Sequence, residues 1–279
     1  MIQSPVPPAA IGPDLYAHPA AAAVLIEALT LLGDGVPGAA VESAALEAGM
    51  PAGPLWILDA LSLEVVDHAL HDELHALEHA GDHEHHHDHG CGHNHHEPHS
   101  HAAHDAHEHR EHGHAHAPDH GHGHGHAHAH AHAKPTHRHT HSVKSRRMPE
   151  SAVYVLEKMA HGYRRLGRVA GSGFYDYSSE PPQLWSGLKT FERRGRHQES
   201  ADIRDRLLHA GLIAAIGASA GTAPGSVPAV FGGQVPGDAA QARALLQSRG
   251  ETAVVARMRE LASRFGPRFA PPAQIAGIA

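Results

Sequence analysis

The sequence predicts an all-α fold, and three observations support that prediction. Segments rich in Ala and Leu, which favour helices, occur on both sides of a histidine-rich tract, and most of them end at glycine. Their larger apolar residues recur at three- and four-residue spacing, which is typical of helices that bury one face. Alternating apolar and polar residues are scarce, and the only short strand candidates are Val227–Phe231 and Phe174–Tyr177.

The predicted elements can be placed in chain order. Residues 1–16 are rich in proline and apolar residues, which indicates a loose arm. Ala/Leu-rich segments predict helices over 20–35 and 36–49. An amphipathic helix is predicted over 54–81, because one face collects Leu58, Leu61, Val65, Ala69 and Leu70. After the tract, helices are predicted over 151–167, 203–221 and 252–266.

Charge and composition exclude several classes of protein. Lys and Arg number 22 against 30 Asp and Glu, a net charge of −8 that does not suggest a nucleic-acid binder. No apolar run reaches ~18 residues, so no membrane span is expected. The first residues lack a basic region and are interrupted by prolines, so we expect no secretory signal and a cytoplasmic protein. The single cysteine, Cys91, excludes a disulfide framework within one chain.

The histidine-rich tract is the most unusual feature of the composition. Residues 83–141 hold 26 of the 34 histidines and almost no aliphatic residue larger than Ala. Such a segment buries too little apolar surface to offset its ordering entropy, so we predict a disordered insertion over 82–143. Where histidines alternate with Gly or Ala, an extended chain places successive imidazoles on one side.

Neutral imidazoles are good ligands for Zn(II), Ni(II) and Cu(II), so the tract predicts metal binding. Many overlapping ligand sets are equivalent, and the spacing does not single out one site. A solvated low-complexity expansion in a tolerant loop is the competing interpretation. The candidate ligands are His83, His85, His86, His87, His89, Cys91, His93, His95, His96, His122, His124, His126, His128, His130 and His132.

Two glycine motifs in the first half of the chain are interpreted as turns. Residues 33–38 match the pattern G-x-G-x-x-G, but a helix rather than a strand precedes them, so we predict a turn between helices and no nicotinamide site. Residues 49–54, Gly-Met-Pro-Ala-Gly-Pro, predict a corner between helices. Asp59 follows that corner, and we expect a capping or solvated residue rather than a catalyst.

The segments GMPAGPLWILDALSLEVVDHAL and MPESAVYVLEKMAHGYRRLGRVAGSGFYDY together resemble the C-terminal helical domain of 3-hydroxyacyl-CoA dehydrogenases. Trp185 and Leu188, IRDRLLHAGL, Phe231-Gly232-Gly233 and RELASRFGPRFAPP resemble a second, degenerate copy of that domain, as in the multifunctional fatty-acid oxidation protein. The resemblance covers about 20–80 and 143–272. It implies two 6-phosphogluconate-dehydrogenase-C-terminal-like helical domains, 17–177 with the insertion inside it and 178–279.

The sequence departs from that family in important ways. The family binds NAD on a preceding Rossmann domain, which also supplies a catalytic His–Glu pair, and we find no βαβ segment and no crotonase domain here. The family's asparagine near the first helix is missing, because this neighbourhood reads Tyr16-Ala17-His18-Pro19. His18 could replace a catalytic base, but it has no visible carboxylate partner, so we expect a solvated side chain. We therefore assign no catalytic and no cofactor-binding residue.

Two functions from different classes follow as hypotheses. The first is the substrate-side or dimerisation region of a β-oxidation protein, inactive alone, with an NAD-binding dehydrogenase subunit and acyl-CoA as partners and with homodimerisation as a further expectation. The second is a metal storage or delivery protein that uses the tract on a borrowed helical scaffold. A truncated or degenerate gene product is the third alternative.

Overall fold

Helices form most of the computed structural model, which describes residues 11–81, 148–193, 198–218 and 227–277. Over these residues the strands amount to one short antiparallel pair, so the all-α prediction is confirmed. The helices are α1 Pro13–Ala17, α2 Pro19–Gly33, α3 Gly38–Glu47, α4 Pro54–Leu61, α5 Leu63–Gly81, α6 Glu150–Glu157, α7 Ser200–Gly217, α8 Val227–Val230, α9 Ala239–Arg249 and α10 Glu251–Phe265.

Shorter elements connect these helices. A π-turn over Lys158–Gly162 continues α6, and 3-10 turns cover Ser186–Thr190 and Pro267–Phe269. The strands β1 (Tyr175–Asp176) and β2 (Gln183–Leu184) pair in the register Tyr175 to Leu184 and Asp176 to Gln183. The structure therefore confirms a strand at the core of the predicted segment Phe174–Tyr177.

Helix α2 occupies the centre of the core and packs against α6 and α7. Its sequence is apolar nearly all round, and Val24, Leu25 and Leu29 are completely buried. A helix that is apolar on every side is buried on every side. Residues 1–81 and 143–279 form one compact unit, and α2 brings elements from both segments together.

The ends of α2 follow from local chemistry. Pro19 occupies its first turn, where its missing N–H costs nothing, and Gly33 ends it. Gly35 then adopts φ +98°, a conformation that favours glycine, before α3 begins at Gly38. The predicted turn between helices at residues 33–38 is confirmed.

Three sequence expectations are corrected. The predicted helix over 54–81 is two helices, because the chain turns at Ser62 (φ 76°), where the Leu63 N–H and the Ser62 hydroxyl both donate to the Leu166 carbonyl. Val227–Val230 is a helix rather than a strand. The loose arm predicted over residues 1–16 is wrong for its last residues, because α1 begins at Pro13 and its Leu15 and Tyr16 are buried in the core.

Other boundaries were missed or stay predictions. No helix was predicted at α9, where the Asp238 side chain caps the first turn by accepting the Gln241 N–H at 2.7 Å. The division at residue 177 between two domains stays a prediction. The disordered insertion predicted over 82–143 lies entirely outside the described residues and also stays a prediction. Among the described residues, every helix is too short or too polar to cross a bilayer.

Candidate functional site

A pocket of about 490 Å³ lies between α3, the corner at residues 49–54 and the β1–β2 hairpin. This volume falls within the range of about 300–1,000 Å³ that is typical of small-molecule sites. The lining is mainly apolar, with few polar groups, and it consists of Ala39, Glu42, Ser43, Leu46, Pro51, Ala52, Gly53, Trp56, Tyr175, Pro181, Pro182, Gln183 and Leu184. We call it the α3 pocket.

Glu42 is the acidic group in the wall of the α3 pocket. Its Oε1 accepts the Leu55 N–H at 2.8 Å, and its Oε2 accepts the Tyr175 hydroxyl at 2.5 Å. Leu55 lies in the first turn of α4, whose N-terminus has no side-chain cap of its own. The Glu42 carboxyl therefore caps α4 from a different helix, which satisfies a donor that would otherwise be unpaired.

Burial controls the acidity of Glu42. Its removal from water raises its pKa to about 7, against the lowering effect of the hydrogen bonds from Tyr175 and the Leu55 backbone. Burial and the nearby Glu42 carboxyl raise the pKa of the Tyr175 hydroxyl, which therefore acts as a hydrogen-bond donor here.

Asp59 is a second buried carboxyl next to the pocket. Its side chain is completely buried, and its oxygens accept the N–H groups of Phe174 and Tyr175, both at 2.8 Å, and the Tyr177 hydroxyl at 3.0 Å. Burial raises its pKa to about 7, although these hydrogen bonds oppose the change. The expectation of a capping or solvated Asp59 was wrong, because this side chain anchors the strand β1 from inside the core.

Glycines make room for both carboxyls. A Cβ at Gly53 would lie 2.0 Å from Glu42 Oε2, and a Cβ at Gly173 would lie 2.0 Å from Asp59 Oδ1. Both distances are far below van der Waals contact. Each carboxyl therefore occupies the space that a side chain at the neighbouring glycine would need. Asp59, in the first of the two segments that carry the family resemblance, thus contacts Phe174 and Tyr175 in the second.

Arg165 binds the backbone of β1 and of the residues just before it. Its guanidinium donates to the carbonyls of Gly173 (2.7 Å) and Tyr175 (3.1 Å) and to the Asp176 carboxylate (2.5 Å), and it lies 4.4 Å from the Trp185 ring centre. A planar guanidinium suits several simultaneous acceptors and an aromatic face. Tyr175 is therefore held at its backbone by Asp59 and Arg165 and at its hydroxyl by Glu42.

Chemically, the α3 pocket combines apolar walls with a few hydrogen-bonding groups. The apolar residues would bind a hydrocarbon portion of a ligand, while the Tyr175–Glu42 pair provides a polar region whose charge changes near neutral pH. A buried carboxyl with a shifted pKa in a concave surface is typical of functional sites, and Glu42 is such a group. Asp59 is not part of the pocket lining. The two carboxyls also hold structure in place, Glu42 at the start of α4 and Asp59 at β1.

His18 has a structural position rather than a solvated one. The ring is buried, Nε2 donates to the Gly237 carbonyl at 2.7 Å, and Nδ1 accepts the Ala20 N–H at 3.3 Å. It caps α2 and ties that helix to the loop before α9. The expectation of a solvated His18 was therefore wrong.

A buried ion cluster lies elsewhere in the core. The Arg206 guanidinium is completely buried and lies 2.6 Å from Glu27 Oε1 and 2.8 Å from Asp34 Oδ2. Arg268 binds the other oxygen of Glu27 at 2.8 Å. Because every charge has an opposite partner, the cluster joins α2, α7 and the turn after α10 without an unpaired ion.

The predicted metal ligands between His83 and His132 all lie outside the described residues. Within the part of the chain that the structure describes, no group of three or more His, Cys, Asp or Glu side chains could hold a metal ion. Metal binding by the tract stays a prediction.

Glu42 was not predicted as a site residue. It is separated from Tyr175 by 133 positions, and no local pattern around it indicates a capping role. The nearest signal is α4 itself, which begins with Gly53-Pro54 and lacks a Ser, Thr, Asp or Asn cap. In comparisons with known proteins, no family model and no curated protein matches this chain.

Proposed function

We propose that this chain is the acyl-binding helical part of a 3-hydroxyacyl-CoA dehydrogenase-type β-oxidation protein, and that it works with a separate NAD-binding protein. The observation that carries the proposal is the mainly apolar α3 pocket. The two segments that resemble that family contribute to its lining, the first with Pro51, Ala52, Gly53 and Trp56 and the second with Tyr175. An acyl chain needs an apolar pocket of this kind, and the hydroxyl of Tyr175 offers one hydrogen-bonding group there.

The proposal assigns the redox chemistry to the partner. Hydride transfer requires a nicotinamide, and the family resemblance places that cofactor on a Rossmann domain, so the partner would supply it. We expect the purified chain to leave NADH unoxidised in the presence of acetoacetyl-CoA. Steady NADH oxidation by the isolated chain would contradict this part of the proposal.

Acyl binding can be measured through Trp56, which lines the α3 pocket. The chain has two tryptophans, so a Trp185→Phe background leaves Trp56 as the reporter. Acyl-CoAs of increasing chain length should change its emission, with tighter binding for longer chains up to the length that fills the pocket. In the same background, Leu46→Glu places a charge on the pocket wall and should weaken binding by about tenfold or more.

The control for this experiment is Val169→Glu, a similar change at a side chain that is 93% exposed and does not line the pocket. Both substituted side chains are exposed, so neither variant should unfold the protein. The proposal is wrong if no acyl-CoA changes the Trp56 emission, or if Leu46→Glu and Val169→Glu bind equally well.

Metal storage or delivery is the second candidate, and the 26 histidines of residues 83–141 favour it. Deletion of 83–141 should abolish high-capacity binding of Zn(II), Ni(II) and Cu(II) in titration calorimetry. In cells, metal sensitivity of the deletion strain with intact growth on lipid would favour metal handling over β-oxidation. Impaired growth on lipid would favour the acyl-binding function.

A further inference from the structure

A group of aromatic and basic side chains lies on the segments around the π-turn and the 3-10 turn at Ser186–Thr190. We define the aromatic–basic face as Tyr154, Lys158, Tyr163, Trp185 and Lys189. Tyr154 is 49% exposed and Tyr163 is 40% exposed, although aromatic rings normally bury most of their surface. Two large rings that remain open to solvent mark this surface as a candidate for contact with another molecule.

Ring contacts join the face into one surface. Tyr163 packs edge-on against Trp185, with ring centres 4.9 Å apart, and both Tyr163 and Tyr154 pack edge-on against Phe191 at 6.4 Å and 6.1 Å. The Tyr163 hydroxyl donates to Thr190 Oγ1 at 3.3 Å, next to Lys189. Each exposed ring therefore has a packing partner, and such contacts lower the entropy cost of ordering it on binding.

The cations of this face have no acidic partner within the described residues. Lys158 lies 6.0 Å from the Tyr154 ring centre, and neither Lys158 nor Lys189 forms an ion pair with a described residue. The exposed cations Arg164 and Arg193 lie on the same segments. The exposed carboxylates of Glu157 and Glu192 offset only part of this positive charge, whereas the whole chain carries −8.

We propose that the aromatic–basic face is a docking surface for an acidic segment of a second protein. Exposed tyrosines and a tryptophan are enriched in protein interfaces, and unpaired cations at the rim attract an acidic partner. A partner of that charge complements this face, whereas residues 1–81, which have 11 acidic residues and no Lys or Arg, would repel it. The inference does not require the partner to be an NAD-binding protein, and it uses no residue of the α3 pocket.

The test uses Trp185 as the reporter. In a Trp56→Phe background, a soluble peptide of alternating Glu and Leu should change the Trp185 emission, and added salt should weaken binding. A matched Lys/Leu peptide should not bind. Because Trp56 reports on the α3 pocket and Trp185 on this face, failure of docking is distinguishable from failure of acyl binding.

Charge reversals make the test specific. Lys158→Glu with Lys189→Glu should weaken binding of the acidic peptide by about tenfold, and Tyr163→Ala should weaken it further through lost ring contact. Arg243→Glu is the control, because Arg243 is an exposed cation on α9, outside the face. Equal binding of both peptides, equal effects of Lys189→Glu and Arg243→Glu, or tighter binding of a single-stranded DNA oligomer than of the acidic peptide would overturn the proposal.

Discussion

The Tyr175 hydroxyl donates to Glu42 Oε2 at 2.5 Å, which links a strand in the second half of the sequence to helix α3 in the first. The same carboxyl caps α4 through the Leu55 N–H. One side chain thus connects α3, α4 and the β1–β2 hairpin, the three elements that surround the α3 pocket. The shape of the pocket consequently depends on a contact between residues that are remote in sequence.

Removal of the Tyr175 hydroxyl should destabilise the protein. Tyr175→Phe leaves a buried carboxyl short of one donor, with an expected loss of about 1–3 kcal/mol in the free energy of unfolding. In a double-mutant cycle with Glu42→Ala, measured by denaturant unfolding, the two changes should be non-additive by about 0.5–3 kcal/mol. Additive effects would show that the hydrogen bond contributes nothing.

The two glycines beside the buried carboxyls should tolerate no side chain. Gly53→Ala and Gly173→Ala each place a methyl group 2.0 Å from a carboxyl oxygen, so we expect losses of about 1–3 kcal/mol or more. Gly217→Ala is the control, because nothing lies within 4 Å of its Cβ position in α7. Thermal unfolding should show a lower Tm for the first two variants and an unchanged or higher Tm for the control.

Stability should depend on pH through Glu42 and Asp59, because burial raises the pKa of both from ordinary values of about 4 to about 7. Because the pKa is higher in the folded protein, the unfolded chain releases each proton at a lower pH, and the free energy of unfolding decreases as the pH rises. The stability that each protonated carboxyl contributes is fully present below about pH 4 and is lost as the pH rises to about 7. For Glu42 the loss is on the order of 3 kcal/mol.

The many histidines also titrate in this range, so the comparison must be made with a matched variant. The stability of the natural protein relative to Glu42→Gln should fall between about pH 4 and pH 7 in denaturant titrations. A constant difference across that range would mean that Glu42 keeps an ordinary pKa.

Truncation of Arg206 should be far more damaging than truncation of a surface arginine. Arg206→Ala leaves the buried Glu27 with one cation fewer, and breaking such a buried pair costs about 3–5 kcal/mol. Arg243→Ala, at an exposed position without a described partner, should change the free energy of unfolding by less than about 0.5 kcal/mol. Similar losses in the two variants would contradict the role of the cluster.

Local patterns in the sequence predicted the helical class and most helices, because apolar spacing and terminal glycines depend on near neighbours. The break at Ser62 was not predictable, since it depends on hydrogen bonds to the Leu166 carbonyl. Val227 and Val230 favoured a strand, but the segment reads Val-Pro-Ala-Val and is a short helix with both valines buried. Pro228 lies in the first turn of that helix, where proline is tolerated. Likewise, the pairing of Glu42 with Tyr175 exists only after the chain folds.

The central position of α2 has a consequence for synthesis of the protein. This apolar helix leaves the ribosome before α6 and α7, which cover it and follow only after residues 82–147 have been made. Contacts between such distant segments form slowly. Until they form, the exposed apolar surface of α2 promotes aggregation. We therefore expect chains halted before α7 to expose the leucine-rich surface of α2 and to be more sensitive to protease than the complete chain.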